Sequence, residues 1–122
     1  MSATPKSLDG LVFILNVQVT IKEANVDTWL AAFKQARDKV LAEPECLFFN
    51  LGRKLNIDPI TQGPGDVPEG EVAISWSEGF KDGLDWFQSV QMKKDYYKPY
   101  MEVAIPLETS RGCASSLSEM PS

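Results

Sequence analysis

The sequence has no histidine. That single absence removes a Ser-His-Asp or Cys-His centre, a His-ligated haem and every zinc site that uses imidazole. The two cysteines, Cys46 and Cys113, are too few for a disulfide framework. Both read as free thiols, with Cys46 a small buried hydrophobe. Basic runs are also missing: none exceeds Lys93-Lys94, and the net charge is −5. Without the basic stripe that marks a phosphate-backbone binder, no nucleic acid partner is expected. No long apolar run is present either. Leu11 to Ile21 is too short to span a bilayer and is interrupted by Asn16, Gln18 and Thr20. The polar stretch Met1–Gly10 has no leader pattern, so the expectation is a cytoplasmic protein with no membrane partner. The Gly63-Pro64-Gly65 piece lacks the Lys-Ser/Thr continuation of a phosphate loop, and no dinucleotide fingerprint occurs. Acidic residues are scattered, so neither a metal site nor a bound cofactor is expected.

What is present is ordinary globular material: 43% hydrophobic and 24% charged residues, enough in 122 residues for one domain. Residues 1–10 read as a loose arm. Leu11–Lys22 alternates at period two, with Phe13, Leu15, Val17, Val19 and Ile21 on one face and Val12, Ile14, Asn16, Gln18 and Thr20 on the other. The first face demands a dry core; the second turns polar midway and is expected to line something wet. Asn25 or Asp27 can open a helix to about Ala42, in which Val26, Trp29, Leu30, Phe33, Val40 and Leu41 form the apolar stripe. Pro44 stops it. A second strand, Cys46 to about Leu55, follows.

Residues 56–70 hold three prolines and three glycines, which predicts an irregular connection long enough to act as a lid. Glu71–Ser77 is the third strand, with Glu78-Gly79 read as the turn that ends it. Phe80–Val90 and Met92–Val103 read as two helical pieces, the second disturbed by Pro99. The core domain is thus placed at 11–105. Residues 106–122 are expected to be a short edge strand at best, or a tail.

Two amides, Asn16 and Asn50, the indole of Trp76 and the phenols of Tyr96, Tyr97 and Tyr100 come from elements that should pack together. Aromatic walls with a few hydrogen-bonding groups suit a flat, hydrophobic, aromatic small molecule. The plainer alternative is that these are core aromatics with satisfied polar tips.

The segments Ala42-Glu-Pro-Glu-Cys-Leu-Phe-Phe-Asn-Leu51, Ile74-Ser-Trp-Ser-Glu78 and Leu84-Asp-Trp-Phe-Gln-Ser-Val-Gln-Met92 resemble the antibiotic biosynthesis monooxygenase family. The resemblance covers roughly residues 11–105. It implies an α+β, ferredoxin-like fold with an antiparallel sheet and helices on one face, two subunits joining as a homodimeric α+β barrel. Family activities include cofactor-independent oxygenation of polyketide anthrones and quinols, haem degradation and isomerisation. Several positions depart from the family pattern. Glu45 stands where the family has Gly, and Trp86 and Gln91 stand where it has two helix histidines. The haem-degrading branch is therefore closed, and residues 56–70 look like an insertion.

The leading expectation is a cofactor-free monooxygenase of an electron-rich aromatic or enolisable secondary metabolite. In that reading Asn16, Asn50 and the Trp76 N–H contact an oxyanion, and Tyr97 relays a proton. Phe33, Trp86, Phe87, Gln91 and Tyr100 bind or orient the substrate. No side chain stands out as a general base. The alternatives are an isomerase, cyclase or decarboxylase on the same fold, and a non-catalytic small-molecule-binding or interaction module.

Overall fold

The alternation in the first strand is clearest at its centre, while Ile14 and Thr20 of the second face are also buried. In the computed structural model, which describes residues 11–118, β1 (Val12–Lys22) buries Phe13, Val17, Val19 and Ile21 on one face and exposes Asn16 and Gln18 on the other. A short 3₁₀ turn leads into α1 (Val26–Leu41), which lays Trp29, Ala32, Phe33, Ala36 and Val40 against the sheet. Trp29 stacks on Phe33 with ring centroids 4.7 Å apart, and Phe33 meets Trp76 at 4.6 Å. Burying each of these rings contributes roughly 1.5–3 kcal/mol or more, so this aromatic stack anchors α1. After Pro44 the chain turns into β2 (Cys46–Arg53), then crosses the long loop to β3 (Glu71–Phe80). A short α2 (Leu84–Ser89), two 3₁₀ turns, a π-helical turn (Tyr100–Ala104) and a last 3₁₀ turn lead to β4 (Glu108–Ser118).

All neighbouring strands run antiparallel in the order β2-β3-β1-β4. The β-α-β-β-α-β order with the helices on one face is the ferredoxin-like α+β fold. The proposed arm at residues 1–10, and the last four residues of the proposed tail, lie outside the described residues.

Three expectations need correction. First, β3 does not end at Ser77. Glu78 pairs with Leu15 and Phe49, and Gly79 with Ile14 and Phe48, so the strand runs on to Phe80. Gly79 is required there because the Phe48 ring lies across its backbone, 2.2 Å from where a Cβ would stand. Second, residues 80–103 are not two regular helices. Pro99, which has no N–H to donate, directly precedes the π-helical turn, and only Leu84–Ser89 forms an α-helix. Third, residues 108–118 form one of the two longest strands, eleven residues pairing with β1 along the sheet edge. Its Ser-rich sequence is tolerated because most of its side chains stay exposed.

The loop at 56–70 is organised by its own polar groups. Asp58 accepts from the backbone N–H of Ile60 and Thr61, and Asn56 brackets Val67 with both ends of its amide. Its Asp66–Pro68 stretch lies beside Gln18 and Thr20, on the sheet face away from the helices.

Candidate active site

A cavity of about 380 Å³ lies between the helices and the sheet. Its floor is the dry face of the sheet: Phe13, Leu15 and Val17 from β1, Phe49 from β2, Trp76 and Glu78 from β3. Phe33 and Val40 of α1, Phe87 of α2, and Tyr97 and Tyr100 close it from above. Exposed Leu84, Met92, Met101 and Ile105 also line it and form its rim.

Among these apolar walls one carboxyl is buried. Glu78 is 6% exposed, and its Oε2 accepts a hydrogen bond of 2.9 Å from the indole N–H of Trp76. Burial disfavours its charged form and raises its pKa to about 7, with the Trp76 hydrogen bond opposing the rise. A carboxyl poised near neutrality in an apolar hollow can take a proton from a substrate and return it. Sequence reasoning missed it because Glu78-Gly79 resembles a turn. The available signal was parity: Val72, Ile74 and Trp76 alternate inward, and the same period places Glu78 and Phe80 on that face.

Tyr97 stands on the same cavity wall. Its hydroxyl accepts a 2.8 Å hydrogen bond from Gln91 Nε2, which also donates to Tyr96 at 2.7 Å. Burial, with added repulsion from Glu78 and Tyr96, holds the Tyr97 phenol far above the usual range despite the Gln91 bond, so it remains a neutral donor. Gln91 is fully buried, and its Oε1 has no hydrogen-bond partner. An unpaired buried carbonyl costs about 1–3 kcal/mol, a burden carried by a residue that clamps two tyrosines.

A second polar cluster sits where β4 meets the π-helical turn. Glu108 Oε2 accepts from Trp29 Nε1 at 3.0 Å and from the Tyr100 hydroxyl at 2.8 Å, and Arg111 Nε donates to Oε1 at 2.9 Å. Arg111 Nη2 donates to the Tyr100 hydroxyl as well. The cluster ties the edge strand to the core and fixes Tyr100 as a wall. Burial and the Glu108 carboxylate keep the Tyr100 phenol protonated.

The structure brings together Trp76, Tyr97, Phe33, Phe87 and Tyr100, all of which line the cavity. It does not bring Asn16 and Asn50 there. Both are exposed on the opposite face, flanking Ser77 in one cross-strand row, and Ser77 Oγ donates to Asn16 Oδ1. Their parity along β1 and β2 is opposite to that of Val17 and Leu51, which oppose Trp76. Asn16 and Asn50 instead line, with Ser77 and part of Trp76, a groove on the helix-free face, while the Trp76 N–H is engaged by Glu78 rather than free. Trp86 and Gln91 are not cavity walls: Trp86 packs on Phe80 beneath the Lys94 ammonium, and Gln91 stands behind Tyr97. None of residues 56–70 lines the cavity, so the loop is not its lid.

Both thiols are free. Burial and the nearby Glu78 charge push Cys46 up to about 11, so it stays protonated and unreactive. Among the described residues no cluster of three or more Cys, Asp or Glu side chains could hold a metal, and no helix is long and apolar enough to cross a membrane.

No family model matches the sequence, and no curated protein matches it. Solved structures share the fold. A conserved protein from Methanosarcina mazei Go1 superposes with a TM-score of 0.68 at 12% identity, covering 94% of this chain and 100% of that one. SnoaB, a cofactor-independent oxygenase from Streptomyces nogalater, gives 0.65 at 11% identity over 90% of this chain and 95% of its own. A further structure named antibiotic biosynthesis monooxygenase gives 0.59 at 15% identity, covering 90% and 99%. The fold is thus that of proteins bearing the family name suggested by the sequence motifs.

Proposed function

We propose that the protein is a cofactor-independent monooxygenase of an aromatic or enolisable small molecule of the anthrone or quinol type, with Glu78 as the general base. The observation that carries this reading is the Glu78 carboxyl, held by Trp76 at the wall of an apolar cavity and poised near neutral pH. For an anthrone the sequence of events balances without a cofactor. Glu78 removes a proton from the methylene, leaving an enolate. The enolate gives one electron to O₂, and the resulting radical and superoxide combine to a peroxide. Protonated Glu78 returns its proton to that peroxide. The carboxylate then takes the second methylene proton as the O–O bond breaks, and Tyr97 supplies a proton to the departing hydroxide and recovers one from protonated Glu78. One O₂ yields a quinone carbonyl and one water.

The apolar walls serve both steps: they stack on the flat substrate and exclude water from the peroxide. The SnoaB fold match supports oxygen chemistry on this scaffold. The reading includes a secondary-metabolite substrate, and a homodimer for which the helix-free sheet face carrying half-buried Phe48 offers a surface. Because Glu78 serves proton transfer whatever follows, an isomerase or cyclase on the same site is the second reading.

Oxygen uptake with dithranol and a panel of anthrones and hydroquinones tests the proposal. Uptake that matches quinone formation and falls in Glu78→Gln is the expected result. Proton exchange or ring closure without oxygen uptake favours the second reading. Turnover that Glu78→Gln leaves unchanged overturns the assignment of the base.

A further inference from the structure

Three inward positions of β4 give the cavity a polar edge. Along β1, Leu15 opposes Glu78 on one side and Ser115 on the other, and Val17 stands likewise between Trp76 and Cys113. Arg111 is the next such position, opposite Val19. Ser115, Cys113 and Arg111 all line the cavity. This strip lies two strands from Glu78, about 10 Å across the sheet. A flat ring resting on Leu15 and Val17 would have the base at one edge and the strip at the other.

The charge of the cavity is unlike that of the chain. The protein has a net charge of −5 and only three arginines, yet two of them, Arg37 and Arg111, line the cavity. The acid facing them is Glu78, which burial holds partly protonated at neutral pH. Each guanidinium pairs elsewhere, Arg37 with exposed Asp38 and Arg111 with Glu108. Arg111 is the more firmly held. Its Nε donates to Glu108 Oε1 at 2.9 Å, and its Nη2 donates to Glu108 Oε2 at 3.2 Å and to the Tyr100 hydroxyl. Its guanidinium carbon stands 5.7 Å from the Tyr100 ring centre. These bonds occupy one side of a planar fork, and Nη1, on the other, has no partner among the described residues. Glu108 does not line the cavity, and its charge is shared among Trp29, Tyr100 and Arg111.

We propose that the substrate is an aromatic acid whose carboxylate is held by the free Nη1 side of Arg111, at the end of the ring system away from Glu78. This deepens the reading of the cavity as a site for a flat aromatic molecule and rests on it. The Ser115 hydroxyl is a second donor on the same strip. A guanidinium already fixed by Glu108 and Tyr100 loses little freedom when the anion arrives. Arg111 therefore determines specificity: it selects the acid and sets which carbon meets the base.

Two product-like probes test this without turnover. Anthraquinone-2-carboxylate and anthraquinone-2-carboxamide share a shape and offer Glu78 no methylene proton, and quenching of tryptophan fluorescence reads their affinities near neutral pH. The carboxylate is expected to bind about tenfold or more tightly than the carboxamide. Arg111→Gln should shrink that preference to within about threefold while leaving carboxamide binding in place. Because this change leaves Glu108 short of a donor, Arg111→Gln combined with Glu108→Gln repeats the comparison without an unpaired buried charge. Equal affinities in the wild type overturn the anchor. So does a preference that survives both variants, or one that Arg37→Gln abolishes and Arg111→Gln does not. The base is judged separately. Glu78→Gln should keep or raise the preference, and unchanged anthrone turnover in that variant would remove the base and leave the anchor standing. Failure of both probes to bind removes the aromatic ligand, and the anchor with it.

Discussion

The two faces of one sheet hold their polar residues in opposite environments. On the helix-covered face, Trp76 and Glu78 point into an apolar cavity, and removal from water pushes the carboxyl up to about 7. On the other face, Asn16, Ser77 and Asn50 lie one position away along the same strands, and both amides remain solvent-exposed. Environment and residue type act together here: a buried carboxyl has its proton affinity tuned, whereas an exposed amide only exchanges hydrogen bonds with water. The largest test sets the faces against each other directly. Glu78→Gln should lower kcat for dithranol oxidation by roughly 10²–10⁴-fold, while Asn16→Ala with Asn50→Ala should stay within about threefold. A strong loss in the double amide variant would mean that the chemistry lies on the open face.

The faces should also differ in stability. Phe33 is 4% exposed and touches Trp29, Phe49, Trp76 and Tyr100 at once. Phe33→Ala should cost about 3–5 kcal/mol in urea unfolding, because the surrounding rings cannot collapse into the space. A cost below about 1 kcal/mol would show that the aromatic stack is not the anchor of α1.

A third comparison concerns pH. The folded Glu78 pKa is above its ordinary value, so between about 4.5 and 7 the folded state binds more protons than the unfolded one. The Glu78 contribution to stability is therefore lost as pH rises through that window, and the protein bears the cost of a buried charge above it. The deficit is on the order of 3 kcal/mol at most. Glu78→Gln should accordingly be more stable than wild type above pH 7 while losing activity, and its stability should vary less between pH 4.5 and 7. Equal pH slopes in denaturant melts of the two proteins would rule out an elevated Glu78 pKa.

Much of this arrangement was legible in the residues. The period-two pattern of β1 assigned each of its side chains to the correct face, and Trp29, Phe33 and Val40 marked the buried stripe of α1. The motif around Trp76 pointed to the fold. What was not legible follows from two physical facts. A charged residue next to glycine usually means a turn, and only pairing with Leu15 and Phe49 reveals that Glu78 continues a strand into the core. An edge strand needs a single neighbour and little burial, so the hydrogen bonds that hold β4 to β1 leave no hydrophobic signature in its Ser-rich sequence. The amides misled for a related reason. Asn16 interrupts an apolar run, which suggests a polar spot in a pocket, but the interruption marks the middle of the open face.

The smallest effect tests the open face itself. Asn16 Oδ1 accepts from Ser77 Oγ at the surface, where water can replace either partner. Asn16→Ala should therefore destabilise by no more than about 0.5–1 kcal/mol, the net worth of an ordinary hydrogen bond. Ser77→Ala in that background should add little, because the two changes remove one shared contact. Replacing residues 57–66 of the neighbouring loop with a short glycine-serine link should likewise leave kcat within about twofold, since a surface loop that lines no part of the cavity is tolerant of shortening. If loop removal instead collapsed kcat while leaving the urea midpoint unchanged, the open face would be coupled to the cavity through the sheet, and the separation of the two faces would fail at its least expected point.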